Sequence, residues 1–171
     1  LQLSPGDHLM EIGTGWGGLA IFAASHYGCK VTTTTISEEQ YQFAKQRIEQ
    51  LGLSEKITLL KQDYRDLTGQ FDKLISIEMI EAVGDEYLDG YFAKCASLLK
   101  PNGLMALQAI TIADQRFEQY RRDVDFIQKF IFPGGFLPSI ARMSSSMTNH
   151  SDLGVRQLRA SGLDYDMTVA D

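Results

Sequence analysis

The sequence predicts an α/β domain built on an open, doubly wound, mostly parallel sheet, and three observations carry that expectation. Strand-like runs, apolar or β-branched, alternate with helix-like runs from the first residues onward. The first strand-like run ends in a glycine cluster, Gly13-Thr14-Gly15-Trp16-Gly17-Gly18. The chain has 171 residues, room for one domain with a substantial core, and no repeat or Pro/Gly/Ser linker divides it.

The elements follow in order. His8 to Ile12 is a short apolar strand running into the glycines. Leu19 to Tyr27 reads as a helix closed by Gly28, a residue suited to a left-handed cap. Lys30 to Thr35 is β-branched and therefore a strand. Ser37-Glu38-Glu39-Gln40 is a capping box opening a helix, with Tyr41, Ala44, Ile48 and Leu51 on one face and Gly52 beyond its end. Ile57 to Leu60 and Lys73 to Ile77 are strands, and Asp85 to Leu99 is a helix burying Leu88, Phe92, Cys95 and Leu99. Pro101-Asn102-Gly103 turns the chain into a fifth strand, Leu104 to Ile110. Asp114 to Ile131 has helical spacing and is aromatic, Asp152 to Ala160 reads as a further helix, and Leu163 to Val169 starts a strand. Right-handed crossovers then give a parallel sheet covered on both faces, with ligands at the carboxyl ends of its strands. The chain starts at Leu1 without a Met and is expected to be an excerpt, truncated at both ends of one domain.

Composition narrows the function. Lys and Arg number 16 against 22 Asp and Glu, a net charge of −6, which argues against general nucleic-acid binding and against adhesion of the whole surface to an anionic membrane. Cys29 and Cys95 cannot form a disulfide framework, and with His8, His26 and His150 they show no metal-ligand spacing, so no metal is expected. No apolar run reaches transmembrane length and no signal-peptide pattern opens the chain, so a reduced, cytoplasmic compartment is expected.

The glycine cluster matches G-x-G-x-x-G, a pattern that lets a ligand approach the backbone at a helix N-terminus. A dinucleotide would want an acid at the end of the second strand for its ribose, but that strand ends Thr33-Thr34-Thr35. The acid stands before the turn, at Glu11. A carboxylate there suits a ligand with positive charge and no phosphates. S-adenosylmethionine, with its sulfonium and ammonium, is favoured over a nicotinamide cofactor, and Asp63, after the third strand, is placed to read an adenine amino group.

Four blocks carry a resemblance: Glu11 to Gly17, Thr35-Ile36-Ser37-Glu38-Glu39-Gln40, Ile77-Glu78-Met79-Ile80-Glu81-Ala82-Val83-Gly84, and Ile131-Phe132-Pro133-Gly134-Gly135-Phe136-Leu137-Pro138-Ser139. The chain resembles the cyclopropane-fatty-acyl-phospholipid synthases, mycolic acid cyclopropane synthases included, over nearly its whole length. The resemblance implies the Rossmann-like fold of class I S-adenosylmethionine-dependent methyltransferases. It also implies methylene transfer to the double bond of an unsaturated phospholipid acyl chain, with bicarbonate as the base that lets a cyclopropane ring close. Gly13 and Gly15 would face the methionine part of the donor, Thr35, Ile36, Ser37 and Gln40 the ribose side, Gln62 and Asp63 the adenine, and the Ile77 backbone the sulfonium. Glu81 and the Ile110 backbone would hold the bicarbonate, reached also from the fifth strand, where this chain has Gln108 in place of the family's usual His. The whole chain would be one methyltransferase domain, with residues 112–150 as an insertion on the acyl side. A bacterial, cytoplasmic enzyme peripheral to the inner membrane is expected, with peripheral membrane contact, a homodimer as a further partner and no nucleic acid.

Blander readings stand beside these. Glu81 would otherwise be a helix N-terminal charge, Gln108 a core amide satisfying backbone, and Glu78 a structural residue. Trp16 reads as packing, with a ring able to wall the cleft; Cys29, Cys95 and His26 read as inert. Phe117, Tyr120, Phe126, Phe130 and Phe132, with Arg116, Arg121, Arg122 and Lys129, suit either a lipid-facing wall or a core-packed helix with a solvated face. Gln108 leaves room for methylation without ring closure. Nicotinamide-dependent oxidoreduction and a non-catalytic binding module are the more distant alternatives.

Overall fold

A computed structural model gives the fold and describes residues 1–122 and 135–160. Five strands, β1 (His8–Ile12), β2 (Lys30–Thr35), β3 (Ile57–Lys61), β4 (Phe71–Ile77) and β5 (Leu99–Gln108), form one sheet in the order β3-β2-β1-β4-β5. All four pairings are parallel. The chain leaves β1 outward to β2 and β3, then returns across the sheet to β4, so the order reverses at the β1/β4 seam. Ligands of such sheets lie outside the strand ends at that reversal.

Two hydrophobic layers cover the sheet because successive residues of a strand point to opposite faces. Leu9 packs with Ala20, Ala24, Val31 and Ile48 on one face, under α1 (Gly18–Phe22), the π-helical turn Ala23–Tyr27 that prolongs it, and α2 (Glu38–Gln50). Met10 and Ile12 pack on the other with Leu74, Tyr91, Phe92 and Phe136, under α3 (Leu88–Leu98), α4 (Asp114–Arg122) and α5 (Ile140–His150). Glu11 therefore shares the face of Leu9, one residue before β1 ends.

Gly28 closes the first helical stretch in the left-handed conformation, at φ 72°. Ser37 caps α2, accepting from the Gln40 N–H. The reciprocal half of the capping box is replaced: the Gln40 amide oxygen accepts from the Thr35 hydroxyl, and the Ser37 N–H donates to Thr35 Oγ1. Ala44 and Ile48 are buried on α2 as expected, but Leu51 is 56% exposed, because the helix has ended and the chain turns away at Gly52.

Further corrections concern elements whose local pattern is overridden by packing. The expected helix from Asp85 to Leu99 is a single 3₁₀ turn, Asp85–Tyr87, followed by α3. β5 begins at Leu99, not Leu104; Pro101-Asn102-Gly103 forms an irregularity within it, with Asn102 at φ 66° and a register shift against Phe71 and Lys73. No helix forms over residues 152–160, where Val155 and Leu158 are exposed. The helix of that region is α5, earlier in the chain and capped by Ser139, which accepts from the Arg142 N–H. α4 is described to Arg122; the rest of the expected helix to Ile131, the aromatic residues Phe126, Phe130 and Phe132, and the strand Leu163 to Val169 lie outside the described residues. Phe117 and Tyr120 are buried in the core, so the lipid-wall reading loses these two side chains.

Candidate active site at the carboxyl edge of the sheet

At the end of β1 a buried carboxylate meets the glycine turn. Glu11 is 4% exposed, and Oε2 accepts from the Thr33 hydroxyl at 2.5 Å. Thr33 lies opposite Glu11 in the β1/β2 register, so the strand pairing itself supplies the partner. Burial pushes the Glu11 carboxyl up to about 7, against the opposing pull of its hydroxyl hydrogen bonds. The turn that follows needs glycine. Gly13 sits at φ 96°, where an added Cβ would come within 3.3 Å of Met79, and Gly15 sits at φ 51° with open space where a Cβ would be. The Gly13 and Thr14 N–H groups both donate to the Thr34 carbonyl, anchoring the turn on β2.

The end of β2 forms the next wall. Thr35, Ser37 and Gln40 are joined in one hydrogen-bonded cluster, and Ile36 between them is 75% exposed. The Gln62 N–H donates to the Thr35 carbonyl, and its side chain donates to the Asp66 carbonyl. Asp63 caps the turn Tyr64–Asp66 and is gripped by Arg65, which donates from Nε at 3.0 Å and from Nη2 at 2.8 Å. That guanidinium holds the Asp63 carboxyl below the usual carboxylate range. Any donor brought to Asp63 would thus share it with Arg65. Trp16, 55% exposed, meets the Phe43 ring edge-on, and Arg47 donates to its carbonyl. Among the described residues, no group of His, Cys, Asp and Glu has the arrangement of a metal site.

Across the seam, Ile77 and Ile110 expose apolar side chains at the ends of β4 and β5. Beside Ile110 lies Glu81, only 8% exposed. Its Oε1 accepts from the Ile110 N–H at 2.6 Å, while its buried Oε2 has no hydrogen-bond partner among the described residues. The Phe136 N–H donates to the Glu81 carbonyl at 2.8 Å, which seats the Gly135-Phe136-Leu137-Pro138-Ser139 run beside the acid. Gln108 does not stand in the core: it is exposed, and its Nε2 donates to Glu78 Oε1 at 2.8 Å. The structure therefore brings Glu81 and Ile110 together and directs the Gln108 amide to Glu78.

The sequence pattern of the mycolic acid cyclopropane synthetase family matches residues 1–171. The chain belongs to that family. The cyclopropane-fatty-acyl-phospholipid synthase of Escherichia coli is 42% identical over 170 residues, covering 99% of this chain and 42% of that protein. The tuberculostearic acid methyltransferase of Mycobacterium tuberculosis is 42% identical over 150 residues, covering 88% of this chain and 35% of that protein. Among solved structures, a mycolic acid cyclopropane synthase complexed with SAH and CTAB superposes with a TM-score of 0.89 at 26% identity, covering 99% of this chain and 62% of that one. The chain thus spans less than half the length of these two curated relatives.

Two hydrogen-bond partners at this edge, Thr33 and Glu78, are not among the residues the sequence singles out. Thr33, the partner of Glu11, was visible only as one β-branched residue among four threonines; the β1/β2 register is the signal that singles it out. Glu78, read as structural, is the partner of Gln108 and adopts φ 49°, which no sequence pattern announces.

Proposed function

We propose that this chain is the donor-binding and catalytic part of an S-adenosylmethionine-dependent enzyme that transfers a one-carbon unit to the double bond of an unsaturated phospholipid acyl chain. The observation that carries the reading is the buried Glu11 carboxylate beside the open glycine turn. It offers negative charge to a cationic ligand, and the turn offers backbone within reach. Gly13 and Gly15 would receive the methionine part, the Thr35–Gln40 cluster with exposed Ile36 the ribose side, and Gln62 and Asp63 the adenine. When bound, S-adenosylmethionine supplies an electrophilic methyl group. The exposed Ile77 and Ile110 side chains give an alkyl chain an apolar approach to it, and residues 112–150 are assigned to the acyl side.

Methyl transfer uses the alkene's π pair for the new C–C bond and leaves a cation on the neighbouring carbon. A proton must then leave, its C–H pair closing the ring. Glu81 is the residue for that step: Oε2 is buried, without a partner, and fixed in place by the Ile110 N–H on Oε1. Bicarbonate, the base implied by the family resemblance, finds one counterpart here, because Oε2 can accept its hydroxyl. Of the donors its charged oxygens need, the Ile110 N–H is committed to Glu81 and one Gln108 N–H to Glu78, while the second Gln108 N–H stays available. The proton goes to Glu81 Oε2, directly or through an anion held against it. Loss of the proton elsewhere along the cation would leave a branched chain. The identity with the tuberculostearic acid methyltransferase supports that second outcome.

Peripheral contact with the inner membrane from the cytoplasmic side belongs to the same proposal; no described helix is long and apolar enough to cross a membrane. The test is full-length protein incubated with S-adenosylmethionine and vesicles of unsaturated phospholipid. Each modified chain should gain the mass of one methylene, with NMR separating ring from branch. Glu81→Gln should lose most turnover while keeping donor affinity. No mass gain with the parent protein would overturn the reading, and a fully active Glu81→Gln would remove Glu81 as the proton acceptor. Homodimer formation is read by sedimentation of the same preparation.

A further inference from the structure

Asp63, just past the end of β3, is held by more than its turn requires. Its Oδ1 accepts from the Arg65 N–H at 2.9 Å, a cap that any residue but proline would supply at position 65. The Arg65 side chain adds a fork to that cap: Nε donates to Oδ1 at 3.0 Å and Nη2 to Oδ2 at 2.8 Å. The ion pair is open to water, with 63% of the Arg65 side chain exposed, and open pairs contribute little to stability. What the fork fixes is geometry. A cap on one oxygen leaves the carboxylate free to turn about its Cβ–Cγ bond, whereas two parallel bonds fix its plane. An ionised carboxylate has about four acceptor positions, shared equally between its oxygens. Arg65 fills both on Oδ1 and one on Oδ2, and leaves one on Oδ2 open. The preceding residue, Gln62, is tied by its N–H to the Thr35 carbonyl at the end of β2.

We propose that Arg65 is a positioning residue: its fork aims the open acceptor of Asp63 at the 6-amino group of the donor's adenine, which selects a 6-aminopurine over a 6-oxopurine. The inference rests on the adenine placement proposed above. An amino group donates into the open position, whereas a 6-oxo oxygen would face a second acceptor and leave both unpaired. Arg65 acts on the base only through Asp63. Its remaining N–H groups are donors, so a base read by them directly would give the reverse preference, for the 6-oxo oxygen. Lysine would keep the charge at position 65 without the fork.

Calorimetry on the full-length protein with S-adenosylhomocysteine and its 6-oxo analogue, S-inosylhomocysteine, tests this independently of turnover. The parent should bind the adenosyl compound about thirtyfold tighter, the contribution of one hydrogen bond to a charged acceptor. Arg65→Ala and Arg65→Lys should each weaken the adenosyl compound about tenfold and leave the inosyl compound unchanged, shrinking the preference to about threefold. Asp63→Ala should remove the preference, and adding Arg65→Ala to it should change nothing further, because the two residues act as one unit. A purely structural Arg65 gives a different pattern, with both compounds weakened alike in Arg65→Ala and the parent's ratio intact. That pattern overturns the inference, as does a parent that prefers the inosyl compound. Loss of the preference in Asp63→Ala but not in both arginine variants overturns the role of the Arg65 fork alone. If Asp63→Ala keeps the parent's preference, or the parent binds neither compound, the adenine placement falls and the inference with it.

Discussion

Glu11 couples the glycine turn to proton concentration. Its carboxyl titrates near about 7 in the folded chain, above its ordinary value of 4.5, because burial disfavours the charged form. Below about pH 4.5 the group is neutral folded or unfolded, and the folded chain keeps the full benefit of the neutral carboxyl. As pH rises toward about 7 the unfolded chain ionises first, and about 3 kcal/mol of that benefit is lost. A bound cation reverses the preference by favouring the carboxylate. Donor affinity should therefore rise between about pH 6 and pH 8, with a proton released on binding below about pH 7. Calorimetry in buffers of different ionisation enthalpy reads both. Equal affinity at the two pH values, with no proton released, would remove Glu11 from the donor's surroundings. Glu11 itself was legible in the sequence, as an acid placed before the turn and missing from the end of β2. Its partner Thr33 was not, since only the strand register distinguishes it from its neighbours. The same limit applies to Gln108, whose hydrogen bond crosses between strands 30 residues apart in sequence.

Among the elements, α3 and α5 are joined by a clamp that holds the Gly135–Ser139 run against Glu81. Arg142 donates to Asp85 Oδ1 at 2.7 Å, to the Asp85 carbonyl at 3.1 Å and to Asp89 Oδ1 at 3.0 Å, and the Ser146 hydroxyl joins Asp89 at 2.7 Å. The Arg142 side chain is 21% exposed, so the pair is shielded enough to matter. Arg142→Met keeps the stem's packing but leaves Asp85 with Arg121 at 3.5 Å and Asp89 with His150 at 3.3 Å in place of the shared guanidinium. It should cost on the order of 2 kcal/mol and lower the melting temperature by roughly 5 °C. A thermal unfolding curve unchanged from the parent's would show the clamp to be idle. The elements before residue 100 were largely legible because apolar periodicity, capping residues and left-handed glycines agreed with one another there. α5 was not, because Ser144-Ser145-Ser146 with Thr148 and Asn149 is a poor helix former that tertiary contacts at Arg142, Met143 and Ser146 stabilise. Residues 152–160 carry helix-like spacing, but Leu153 packs against the core while Val155 and Leu158 are exposed, and they stay irregular.

For the whole molecule, a donor that binds only the folded chain must stabilise it. S-adenosylhomocysteine at about one hundred times its Kd should add roughly 2.7 kcal/mol and raise the melting temperature by about 5–10 °C. Gly15→Val should melt without that rise, since its side chain would occupy the open space at φ 51° that the ligand needs. An equal rise in both proteins would move the ligand elsewhere. The seam between β1 and β4 carries a consequence for how the protein is made. Every residue assigned to the donor on the β1–β3 side, from Glu11 to Asp63, is synthesised before Phe71, the first residue of β4. The pairing of Leu9 with Lys73 must wait for that strand and close a long loop, which makes it the slow, non-local step of assembly. On the ribosome, the residues proposed for the methyl donor emerge before the acid proposed for proton removal, and the two become one site only when the seam closes.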